Sequence, residues 1–93
     1  MEGEIVLMKQ NLRNFVFTVV ESELDYQESL DASRTDGREH TVGEYVTMLQ
    51  YYQNELVEAW TMNPGDNAAL ESMRKIAGIA FACMEKHGAN HRK

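Results

Sequence analysis

Apolar residues recur at Ile5, Met8, Leu12, Phe15, Val19, Tyr26 and Leu30. That alternating three-and-four spacing is one face of a helix, and it predicts a first helix over about 4–30. Within it Phe15 to Val20 reads FVFTVV, whose β-branched and aromatic residues would also suit a strand. The stripe runs on through both flanks, which favours the helix. Phe17, Val20 and Leu24 lie on its other side, so this helix needs cover on more than one face, and a second subunit is the expected source.

A second helix is expected over 42–62. Thr41 followed three residues later by Glu44 is a capping box, in which each side chain takes one otherwise unpaired backbone N–H. The stripe is Tyr45, Leu49, Tyr52, Leu56 and Trp60, and it stops at Asn63-Pro64-Gly65-Asp66, where Pro ends the helix and Gly reverses the chain. Asp66 is expected to cap a third helix over 67–87, ended by Gly88. Its stripe is Leu70, Met73, Ala77, Ala80, Phe81 and Met84, widened by Ile76, Ile79 and Cys83; small residues at Ala77, Gly78 and Ala80 permit close approach of another backbone. The expectation is an all-α single domain, with a long N-terminal helix packed on an antiparallel helical hairpin, a polar loop over 31–41, a frayed tail over 88–93, and an oligomeric assembly.

At 93 residues such a domain buries only about 60–65% of its unfolded surface, which again favours self-association. A hydrophobic share of 43% with 26% charged residues is that of a globular chain. No run approaches the roughly 20 apolar residues of a membrane span, and the acidic start MEGE lacks the basic region of a secretory signal. A lone Cys83 fits a reducing cytoplasm, as a small core residue. The net charge of −6 disfavours tracking along long nucleic acid, which needs clustered Lys and Arg. A small anion remains compatible, because two or three arginines in one pocket suffice to hold it.

The densest polar stretch is DASRTDGREHTVGEY, residues 31–45. Arg34, Arg38, His40 and the Asp36-Gly37 turn lie between two apolar-periodic segments and are expected to hold a ligand. Glu55 and Glu58 share a helix face, as a divalent cation requires of two carboxylates; a solvated face is the plainer reading, and it also covers Glu21, Glu23, Asp25, Glu28 and Asp31. His40, His87 and His91 have no zinc spacing among themselves. There is no P-loop, nucleophile elbow or Gly-rich dinucleotide fingerprint.

The segment NELVEAWTMNPGDNAALESMRKIAGIAFACMEKHG resembles the MazG-like all-α nucleoside triphosphate pyrophosphohydrolases. In that family E-x-x-E on one helix and E-x-x-D on the next hold magnesium. The first pair is present as Glu55 and Glu58. In the second, Arg74 stands where the aspartate belongs, followed by Lys75, and a cation there repels Mg²⁺ and favours a phosphate instead. The resemblance therefore implies nucleotide binding with catalysis lost.

Across Ser22 to Ala89 the blocks RTDG-x-x-H and NPGD are similar to those of small accessory proteins of tailed bacteriophages. In that setting a nucleotide pocket without catalysis suits a sponge, an oligomer that sequesters the cyclic nucleotide signals of bacterial immune systems such as CBASS or Thoeris. Arg34, Arg38 and Arg74 would take phosphates, Tyr26, Tyr45, Tyr51, Tyr52 and Trp60 would stack on bases, and Gln27, Asn63 and Asp36 would read base edges. Thr35, His40 and Lys75 complete the expected ligand set. A two-fold symmetric ligand fits a two-fold interface, so the partners expected are a cyclic nucleotide and further copies of this chain, as a dimer or tetramer, with no cofactor, no long nucleic acid and no membrane, in the host cytoplasm. Two alternatives stand beside this reading. One is a Mg²⁺-dependent pyrophosphohydrolase in which Glu21 and Glu28 replace the missing pair around Glu55 and Glu58. The other is an interaction module that blocks a host enzyme.

Overall fold

The computed structural model describes residues 2–34, 39–62 and 65–93, apart from the side chains of 31–34. Three helices follow one another: α1 (Glu2–Arg34), α2 (Val42–Thr61) and α3 (Asp66–His87), and no strand occurs among the described residues. FVFTVV is helical. Its Thr18 hydroxyl donates to the Asn14 carbonyl oxygen at 3.0 Å, so the polar atom is satisfied inside the helix and does not compete with it. α1 extends beyond the predicted span at both ends, with Glu2 and Glu4 in its first turn, where acids favour the helix dipole.

The start of α2 is the predicted capping box. The Glu44 N–H donates to Thr41 Oγ1 at 3.1 Å, and the Thr41 N–H donates to Glu44 Oε1 at 3.2 Å. The start of α3 differs from expectation. Gly65 is the capping residue, without a side-chain cap, and Asp66 lies inside the first turn. There its charge meets the helix N-terminus directly instead of accepting a capping bond. α3 ends at Gly88, whose φ of 109° is a backbone conformation that glycine adopts without a Cβ clash.

α3 is the central element, packing on both α1 and α2, while the backbones of α1 and α2 do not come close to each other among the described residues. It runs opposite to α2: His87 Nε2 donates to the His40 carbonyl oxygen at 2.8 Å near one end, and Lys75 Nζ lies 3.8 Å from Glu55 Oε1 nearer the other. Serving two neighbours changes which face is covered. Ser72, Gly78 and Ile79 are buried, whereas Leu70, Met73, Phe81 and Met84 of the predicted stripe are exposed. The core of the single chain is small: Leu24, Tyr45 and Ile79 are its buried apolar side chains among the described residues.

Gly78 marks the closest approach of α1 to α3. A Cβ there would stand 2.7 Å from Glu23 Cγ and 2.9 Å from Gln27 Nε2, so a larger residue would have to displace these side chains or part the helices. Overpacking of this kind costs about 1–3 kcal/mol, against about 1 kcal/mol gained when Gly becomes Ala inside a helix. Gly78→Val is therefore expected to lower the melting temperature clearly more than Gly78→Ala. Equal melting curves for the two would show that α1 does not approach here.

Candidate functional site

With α1 and α2 both packed on α3, a cleft opens between them. Its volume is about 370 Å³, within the size range of small-molecule sites. α3 forms one side with Lys75, Ile79, Ala82, Glu85 and Lys86; α1 contributes Tyr26, Gln27 and Leu30; Tyr45, Met48 and Tyr52 come from α2, with His40 just before it. Lys75, Ile79, Ala82 and Lys86 are spaced four, three and four apart, so one face of a single helix reaches the cleft. Lys75 and Lys86 lie roughly 16 Å apart along that axis.

Tyr45 is the best-buried residue of this cleft, 3% exposed. The rings of His40 and His87 meet its ring edge-on at centroid distances of 5.5 and 6.1 Å, and Lys86 Nζ sits 5.9 Å from its centroid. His40 is itself held, its Nδ1 lying 3.3 Å from Glu44 Oε2, so the capping box that starts α2 also orients this wall. The Tyr45 hydroxyl is buried with no hydrogen-bond partner among the described residues. Tyr52 carries Lys75 Nζ 6.0 Å from its ring centroid, and Gln27 Nε2 donates to the Lys75 carbonyl oxygen at 3.4 Å.

A buried hydroxyl without a partner costs stability, about 1–3 kcal/mol. Tyr45→Phe should therefore leave the melting temperature of the free protein unchanged or raised. If a ligand supplies the missing partner, the same substitution should weaken ligand binding, and a variant that loses stability instead would show that the hydroxyl already has a bond.

Arg74, expected to hold a phosphate, is occupied otherwise. Its Nε donates to Glu23 Oε1 at 2.9 Å and its Nη1 to Glu71 Oε1 at 2.9 Å, and its own pKa is raised by these two hydrogen bonds, that of Glu71 first. Glu23 is buried at 6% exposure, whereas Arg74 keeps 29%. Gln27 Nε2 adds a second hydrogen bond to Glu23 at 3.0 Å. The arginine thus neutralises carboxylates, and an anion would have to displace them.

The carboxyl of Glu71 is held below its ordinary value, first by the hydrogen bond from Arg74 and then by its charge. A depressed carboxyl contributes stability above its unfolded pKa and loses it as pH falls through the lower folded value. Melting temperature should accordingly start to fall below about pH 4.5, and Glu71→Gln should flatten part of that slope. An identical acid slope in the variant would place its origin elsewhere.

Of the residues singled out by sequence, the structure brings Tyr26, Gln27, His40, Tyr45 and Lys75 into one cleft. Trp60 is 61% exposed and lies outside it. Thr35, Asp36, Arg38 and Asn63, and the side chain of Arg34, lie outside the described residues. Tyr52, expected to stack on a base, also lines the cleft, and so does Lys86, which the expected ligand set lacks; the spacing of Lys86 from Lys75 on α3 was a legible signal. Glu55 and Glu58 border a different, shallower pocket with Ala59, Met62 and Ser72, while Glu21 borders a third with Phe17 and Phe81, and Glu28 lines both that third pocket and the cleft. Within one chain the two acid pairs do not join, and no group of three or more metal-ligating side chains occurs among the described residues. No helix among them is long and apolar enough to cross a membrane.

Comparison with protein-family models, curated proteins and solved structures yields no match to this chain.

Proposed function

We propose that this chain binds and sequesters a nucleotide signal without breaking it, in the manner of a phage anti-defence sponge acting in the bacterial cytoplasm. The observation that carries this reading is the cleft, which Tyr26, Tyr45 and Tyr52 line with Lys75 and Lys86 and in which the buried Tyr45 hydroxyl has no hydrogen-bond partner among the described residues. Aromatic faces stack on bases irrespective of sequence, lysines attract phosphates, and a spacing of roughly 16 Å between the two cations suits a ligand larger than a mononucleotide, such as a cyclic di- or oligonucleotide or a cyclic ADP-ribose. Nothing in this chemistry requires a metal. In this reading the long first helix is carried on the hairpin of α2 and α3, and the working form is a homo-oligomer.

The test is a thermal-shift panel of cyclic dinucleotides, cyclic trinucleotides and cyclic ADP-ribose isomers, followed by denaturation and recovery of the ligand. A stabilising shift with one ligand, recovered chemically intact, is the expected result. No shift with any member, at concentrations far above the protein, rules the reading out.

A Mg²⁺-dependent pyrophosphohydrolase is the second reading, favoured by Glu55 and Glu58 bordering one pocket. It requires pyrophosphate release from a nucleoside triphosphate, lost on Glu58→Gln. The expected result for the sponge is no release with or without Mg²⁺.

A further inference from the structure

A glutamine amide on a binding surface ordinarily turns to donate or accept as its ligand requires. That of Gln27 is fixed. Its Nε2 donates to Glu23 Oε2 at 3.0 Å and to the Lys75 carbonyl oxygen at 3.4 Å, which uses both hydrogens of the amide nitrogen. A carboxylate and a carbonyl only accept, so turning the amide over would set oxygen against oxygen; its orientation follows from its partners. Glu23 is held in turn, because its other oxygen accepts from Arg74 Nε at 2.9 Å. The contacts thus run from Arg74 on α3 to Glu23 and Gln27 on α1, and back to the backbone of α3 at Lys75.

Gly78 leaves the room in which this happens. A Cβ at that position would stand 2.9 Å from Gln27 Nε2, so even alanine would push the amide out of place.

Gln27 is half-buried and lines the cleft. With its nitrogen committed, the amide atom left for a ligand is Oε1, which takes part in no hydrogen bond among the described residues. That oxygen can only accept. Phosphate oxygens, base carbonyls and bare ring nitrogens are acceptors themselves and gain nothing from it. The donors that project from a base edge are the exocyclic amino groups of adenine, guanine and cytosine. A ribose hydroxyl also donates, but every ribonucleotide carries one, so it confers no preference. Lys75, whose carbonyl holds the amide, sends its Nζ to 6.0 Å from the ring centroid of Tyr52. An acceptor, a cation and an aromatic ring therefore meet at the Lys75 end of the cleft.

We infer, resting on the nucleotide reading, that Gln27 selects the base: the cleft prefers nucleotides whose base carries an exocyclic amino group, which donates to Gln27 Oε1. Glu23 and Gly78 are positioning residues for that oxygen.

Calorimetric titration of the full chain with cyclic di-AMP, cyclic di-GMP and cyclic di-IMP tests the selection. Hypoxanthine is adenine with its 6-amino group exchanged for oxygen, and guanine without its 2-amino group, so the third ligand keeps the bicyclic ring, the sugars and the phosphates. The wild type should bind at least one amino-bearing ligand about fivefold or more tighter than cyclic di-IMP, the worth of one hydrogen bond. In Gln27→Met that ratio should fall to near one with little change for cyclic di-IMP, whereas a merely structural role would weaken all three ligands alike. Gly78→Ala should narrow the ratio while its helical circular dichroism is retained. Cyclic di-IMP bound by the wild type as tightly as both other ligands overturns the inference and leaves the nucleotide reading standing. A preference that survives intact in Gln27→Met or in Gly78→Ala also overturns it, since another group then makes the selection. If none of the three binds, the selection is refuted, and the nucleotide reading is decided separately by the wider thermal-shift panel.

Discussion

Replacing Arg74 with alanine should destabilise the chain by about 2 kcal/mol, or roughly 10 °C in melting temperature for a domain of this size. The cost comes less from the arginine than from what it leaves behind. Glu23 is 6% exposed, and among the described residues its charge would be left with the hydrogen bond from Gln27, at 3.0 Å. Removing one member of a buried pair is far more costly than removing both. The double variant Glu23→Gln with Arg74→Met should therefore recover most of the loss. Thermal melts of the two single variants and the double one measure this coupling, and additive losses would show that the pair does not hold α1 to α3.

The second large effect is expected on binding. Lys75→Glu places a negative charge at one end of the cleft, and a charged hydrogen bond is worth about 1.5–3 kcal/mol. Affinity for an anionic nucleotide should fall by at least about tenfold. The fold should survive, since the Lys75 ion pair with Glu55 is 3.8 Å long and partly exposed, and such pairs contribute about 0–1 kcal/mol. Calorimetric titration of the variant and the wild type against the ligand found in the thermal-shift panel supplies the comparison. An unchanged affinity would remove Lys75 from the site.

How much of this was legible in the sequence depended on how local each signal is. The capping box of Thr41 and Glu44 was readable because both partners lie within one turn, and the helical reading of FVFTVV followed from a stripe longer than the segment itself. Asp66 was misplaced by one position because an acid favours both the cap and the first turn. The faces were harder. Periodicity marks an apolar stripe on α3 but cannot say that two helices will cover other sides of it, so Leu70, Met73, Phe81 and Met84 looked like core and are exposed, while Ser72 and Gly78 are buried.

The site shows the same division. Glu71 was a readable partner for Arg74 three residues away, but Glu23 comes from α1, and no spacing rule connects them. That single contact turned an arginine expected to hold phosphate into one that holds carboxylates. Lys75 and Tyr45 are expected from their chemistry, and Lys86 joins Lys75 along one face of α3.

Native mass spectrometry of the intact protein with the same cyclic nucleotides tests the central claim most directly. The account predicts an adduct whose released ligand has the mass of the nucleotide added, with binding lost in Lys75→Glu. Protein that carries no nucleotide from any mixture, or that returns a nucleoside monophosphate in place of the ligand, would contradict it.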